Sequence, residues 1–134
     1  MLITFEFLEN WNFEIELPEE VRTYDIIEKY KKHKEYIKKN NINQNQYIIN
    51  KYLSDKKYSI DKNAYPYNID KNMDHYVLWI HPNYINKVND WEVCNIITNK
   101  MKELGFNEYF CFENHIKAKT ILGVLHYQVF FRKC

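Results

Sequence analysis

Glycine occurs only twice in these 134 residues. There is accordingly no Gly-rich phosphate loop, and GxSxG and HExxH are missing too, so the common nucleotide, hydrolase and zinc-protease signatures are excluded. The three cysteines, Cys94, Cys111 and Cys134, are odd in number and widely spaced. They make no CxxC pair and no disulfide framework, and a reducing compartment is the simpler expectation. No apolar run approaches the ~20 residues that a membrane helix needs. Formal net charge is +1, so no global field draws the chain to nucleic acid or to a membrane. "MLITFEFLENW" has acidic residues, no basic leader region and no small-residue cleavage site, which reads against a signal peptide. A cytoplasmic location is expected, and nothing calls for a cofactor.

What is present is an ordinary globular composition, with hydrophobic residues at 46% and charged ones at 28%. Aromatics reach 17%, including twelve Tyr, which favours a core or binding surface built from rings. Heavy use of Asn, Ile, Lys and Tyr points to an AT-rich genome, such as that of a large DNA virus or some protists. The length suits one domain, with a helical N-terminal part over 1–55 and a sheet and site region over 56–134.

Thr4 opens a short helix, and Phe13, Ile15 and Leu17 alternate as a strand would. Thr23 caps a helix over 24–39, with Ile26, Tyr30, His33 and Ile37 on its apolar stripe. Residues 45–53 read as a second helix, and 54–73 as a long connection. "DHYVLWIH" is a strand ended by Pro82. Asp90 caps a helix over 91–104, and Gly105 sits at the left-handed C-cap position. "NEYFCFE" and "TILGVLHYQVFFRK" are the last strands, antiparallel because a short loop joins them. The class is α+β: an antiparallel sheet packed by the 91–104 helix.

The last strand poses the functional question. Alternation puts Val124, His126, Gln128, Phe130 and Arg132 on one face. In the same way His75, Val77, Trp79 and His81 share a face of the 74–81 strand. If the two strands are neighbours, a polar patch forms on an otherwise apolar sheet.

The motifs "YPYNIDKNMDHYVLWIHP", "YFCFEN" and "AKTILGVLHYQVFFR" resemble the histidine-triad (HIT) superfamily, which includes the galactose-1-phosphate uridylyltransferases. With "VRTYDIIEKYKKHKEY" in front, residues 17–133 resemble a fungal family of unknown function, the N-acetylglucosamine-induced proteins. The resemblance implies a HIT-like domain for a nucleotide or nucleotide-sugar, with nucleotidyl transfer or phosphohydrolysis through a covalent histidine. His126 falls at the nucleophile, where neutral imidazole can attack an α-phosphate. Gln128 falls at the third triad position, and Asn114 where the superfamily has an Asn near phosphate. Lys119 adds charge beside the phosphate, His75 supports the site, and Arg22 and the "NAYPY" loop with Tyr67 close it.

The departures are equally specific. Val124 stands where the family has its first His, removing a group expected to orient the nucleophile. The loop "NHIKAK" has no Gly, so Lys117, Lys119 or His115 would have to replace backbone N–H groups. Thr120 is offset by one from the family's Ser.

Each residue also has a plainer reading. His126 and His75 can be satisfied core histidines, Tyr65, Pro66 and Tyr67 can simply fix a loop, and Trp79 fits the core. The Lys-rich 24–39 helix reads as a solvated face diluted by Glu28 and Glu35, so nucleic acid is not the expected partner. His75 and His81, six apart, make a poor metal site. The alternative to an enzyme is a non-catalytic protein that keeps the fold and binds a partner protein or a second copy of itself. A working site requires His126, Gln128, His75 and Asn114 to converge on one open pocket.

Overall fold

A computed structural model describes residues 1–11, 17, 19–113 and 124–134. The expected strand over 13–17 lies outside them apart from Leu17, as do Asn114, His115, Lys117, Lys119 and Thr120. The architecture is α+β, as the sequence predicts.

Thr4 begins α1, Phe5–Glu9, and its hydroxyl accepts from the Phe7 N–H. Helix α2 is Tyr24–Lys39, and Ile37 is its buried residue. Thr23 precedes α2 in extended conformation but makes no side-chain cap bond. The expected 45–53 helix divides into α3, Gln44–Ile48, and a π-helical turn, Ile49–Leu53.

Strand β1, Tyr58–Lys62, lies inside the segment read as a connection. It is a half-buried edge strand with one aliphatic residue, Ile60, so its apolar alternation is too weak to announce it. Strand β2 is Met73–Ile80. Helix α4 is Asp90–Leu104, capped by Asn89 rather than Asp90 because Asn89 Oδ1 accepts the Glu92 N–H. Gly105 closes it at φ +80°, the left-handed position predicted for it. Strands β3, Glu108–Glu113, and β4, Leu125–Arg132, complete the chain.

The strands form one antiparallel sheet in the order β1-β2-β4-β3. The central strand β2 is almost wholly buried and β4 mostly so, whereas the edges β1 and β3 are mostly half-buried. Burial on both faces explains why β2 and β4 read as near-continuous apolar runs. One face packs Tyr76, Leu78, Ile80, Val129 and Phe131 against Val93, Ile96 and Ile97 of α4.

The N-terminal part covers the opposite face in two places. Ile3, Phe5, Leu8 and Val21 pack with Tyr67, Met73, Phe112 and Phe130. Ile48 and Leu53 pack on Val77, Trp79 and Val124. Trp79 is therefore core, as its plainer reading has it. Ile3 also bridges Ile69 in parallel, tying the N-terminal segment to the chain just before β2. The polar residues of the sheet lie on this second face.

Candidate functional site

Pairing of β2 with β4 sets the geometry. His75 stands opposite Phe130, Val77 opposite Gln128, and Trp79 opposite His126. All six side chains share a face, as strand alternation requires. His75 and Gln128 are diagonal neighbours, a separation that long side chains can span.

They meet directly. His75 Nδ1 accepts the Tyr67 N–H at 3.1 Å. The proton therefore sits on Nε2, which donates to Gln128 Oε1 at 2.5 Å. Asn63 Nδ2 donates to the same oxygen at 3.1 Å, while Asn63 Oδ1 accepts the Tyr65 N–H at 2.8 Å. The His75 ring stacks on Phe130, with centroids 4.2 Å apart and planes at 17°. Tyr67 closes its other side at 4.6 Å.

Burial drives the His75 imidazole down to about 3. The Gln128 hydrogen bond opposes that fall, and the Arg22 charge adds to it. His75 is thus neutral near pH 7. Arg22 Nε donates to the Tyr65 carbonyl at 2.8 Å, and its guanidinium lies 4.9 Å from the Tyr67 ring centroid. The structure thus brings together four sequence-named residues, Arg22, Tyr67, His75 and Gln128. It adds Asn63, which sequence reasoning missed. An Asn ahead of a Tyr-Pro-Tyr turn is a generic turn signal, and only the β1–β2 register carries it to Gln128.

His126 stands one pair further along, its ring 5.1 Å from that of Trp79. Its Nδ1 donates to the Val124 carbonyl at 3.0 Å. This corrects the expectation that Val124 forfeits orientation of the ring. The acceptor is main chain and survives whatever side chain position 124 carries. In the neutral ring this tautomer carries its lone pair on Nε2.

The convergence is closed rather than open. His75 and His126 are each 4% exposed and Gln128 is 5% exposed. Asn114 and Lys119 lie outside the described residues. His81 is past the end of β2, where its Nδ1 accepts the Asn83 N–H at 3.1 Å and caps the turn at Pro82. Among the described residues no group of three or more His, Cys, Asp or Glu could hold a metal ion. Burial raises the Cys111 thiol to about 11, with the neighbouring Cys94 adding to it, so Cys111 is not a thiolate nucleophile at neutral pH. Among the described residues no helix is long and apolar enough to cross a membrane.

No family model matches the chain, and no curated protein does. The chain is similar in structure to HTC1, in a solved crystal structure, with a TM-score of 0.59 at 18% identity. The match covers 84% of this chain and 76% of that one. At that identity the likeness concerns the fold.

Proposed function

We propose that this chain is a HIT-like domain that keeps the fold without turnover and serves as an interaction protein. The observation that supports this reading is the closed His75–Gln128–Asn63 network. Gln128, expected to hold phosphate, and His75, expected to support the site, are spent on each other, and with Asn63 they pin the 63–67 segment to the sheet. A buried polar network in which each member has a partner rigidifies a fold. A ligand phosphate would have to displace protein hydrogen bonds to use either group.

A second reading is favoured by one specific feature, the His126 Nδ1 bond to the Val124 carbonyl. In this reading His126 Nε2 attacks the α-phosphate of a nucleotide or nucleotide-sugar, and its P–O bond to the departing phosphate or sugar phosphate breaks. Water or an acceptor oxygen then attacks the same phosphorus, the P–N bond breaks, and the nucleotidyl group leaves the histidine. Gln128, Asn114 and Lys119 position the phosphate, His75 supports the site, and Arg22 and the loop with Tyr67 close it. At 4% exposure, His126 meets such a ligand only after the side chains over it move.

A thermal-shift screen against nucleotides and nucleotide-sugars separates the two, with the His126→Ala protein alongside. The first reading expects no ligand to raise the melting temperature. A shift that disappears in His126→Ala overturns it and supports the second.

A further inference from the structure

Charge is segregated along this nearly neutral chain. Residues 22–57 carry ten Lys and Arg against four Asp and Glu, while the remaining residues carry nine against fourteen. The basic segment spans α2, α3 and the π turn. Its surface is also aromatic. Tyr30 stacks on Tyr65 with centroids 4.9 Å apart and planes at 17°. His33 lies 5.1 Å from Tyr47 and 5.7 Å from Tyr65. Burial first, then the Lys51 charge, holds the His33 imidazole below its ordinary range, so it contributes a neutral ring near pH 7.

Cations flank this row of rings. Lys34 Nζ lies 4.5 Å from the Tyr30 centroid, and Lys51 Nζ 5.6 Å from that of Tyr47. Among the described residues neither lysine pairs with a carboxylate. Exposed cation–π contacts are weak, and a phosphate oxygen is a stronger partner for either ammonium. Lys31 and Lys38 continue the flank of α2 at spacings of three and four from Lys34.

Beside these groups lies a hollow of about 380 Å³ lined by Ile42, Asn43, Gln46, Tyr47, Asn50 and Lys51. It offers an aromatic ring, an aliphatic wall, one cation and three amide side chains, of which Gln46 Nε2 already donates to Asn50 Oδ1 at 2.8 Å and Asn43 Oδ1 accepts the Gln46 N–H at 3.0 Å. That is the set needed to stack a base, bond its edge and hold its phosphate. Two of its lining residues, Asn50 and Lys51, belong to the π turn, a distortion that recurs at functional positions in helices.

We propose that the α2–α3 face binds single-stranded nucleic acid, with a base seated in the hollow against Tyr47 and the backbone phosphates on Lys34 and Lys51. A single strand fits better than a duplex, because a duplex hides the base faces that Tyr47 would stack. The proposal concerns a different surface from the sheet face and stands whether or not His126 reacts.

The test is fluorescence anisotropy of the full chain with a labelled oligouridine of twelve nucleotides at rising NaCl. Saturable binding is expected, with log affinity falling linearly against log salt. The double variant Lys34→Ala with Lys51→Ala should weaken binding at least fivefold and flatten that slope. Tyr47→Ala should weaken it roughly tenfold with the slope unchanged. Tyr47→Phe should retain binding, which guards against a variant that merely misfolds. Absence of saturable binding at 50 mM salt overturns the proposal. So does equal affinity for an RNA duplex, heparin or phosphatidylserine vesicles with Tyr47→Phe and Tyr47→Ala indistinguishable from the parent, since that is indiscriminate polyanion attraction.

Discussion

Burial holds the His75 imidazole down to about 3, whereas the same group in an unfolded chain protonates near 6.5. The folded-state value is the lower one, so acid favours the unfolded state. The contribution of His75 to stability is complete above about pH 6.5 and is lost as the pH falls toward 3. By proton linkage the loss at pH 5 is about 2 kcal/mol. Urea unfolding at pH 7 and pH 5 should show it, and His75→Gln should lack that part of the pH dependence. Identical pH profiles for the two proteins would refute the assignment. Gln128→Leu removes the acceptor of His75 Nε2 and leaves a buried donor unpaired, at a cost of about 1–3 kcal/mol. Gln128→Glu instead places a carboxylate beside the imidazole, which raises its folded-state value toward the unfolded one and should shrink the stability loss between pH 7 and pH 5.

At the scale of elements, the caps give a clean contrast. Asn89 bonds the Glu92 N–H at the start of α4, while Thr23 makes no side-chain bond at the start of α2. Asn89→Ala should cost about 1 kcal/mol and Thr23→Ala close to nothing, read as denaturation midpoints. At the other end of α4, Gly105 has φ +80° and nothing within 4 Å of where a Cβ would stand. Gly105→Ala therefore meets backbone strain without a clash, and about 1 kcal/mol of destabilisation is expected. A loss much above 2 kcal/mol would point to an obstruction that the packing there does not contain. The π turn has no comparable sequence signature, because Ile48, Ile49, Tyr52 and Leu53 satisfy a helical stripe just as well.

For the whole molecule, the sheet has a core on each face, the one opposite α4 divided into two clusters, and both faces draw on β2 and β4. Phe130 belongs to one and Phe131 to the other, each fully buried. Phe130→Ala and Phe131→Ala should each cost about 3–5 kcal/mol. If the chain is the single domain its length suggests, tryptophan fluorescence and far-UV circular dichroism will report one coincident unfolding transition. Separate transitions would divide the two faces into independent units. The charge segregation also belongs to this scale. Totals near neutrality conceal it, and only the positions of the charges along the chain disclose the basic helical part.

The sequence by itself determined most of the sheet. Runs such as 73–80 and 125–132 are buried on both faces, and burial on both faces demands apolar residues that no helix period explains. It also determined which side chains share a face, because the strand period is two and leaves no freedom. The caps at Thr4 and Gly105 were legible for the same local reason. Tertiary structure alone decided what the polar residues of that face do. Whether Gln128 waits for a phosphate or bonds His75 depends on which strands pair and in what register, a contact 53 residues apart in the chain. The half-buried β1 and the Asn63 that follows it depend on the same pairing. The orientation of His126 comes from a main-chain carbonyl, which every residue type possesses and no side-chain motif can signal.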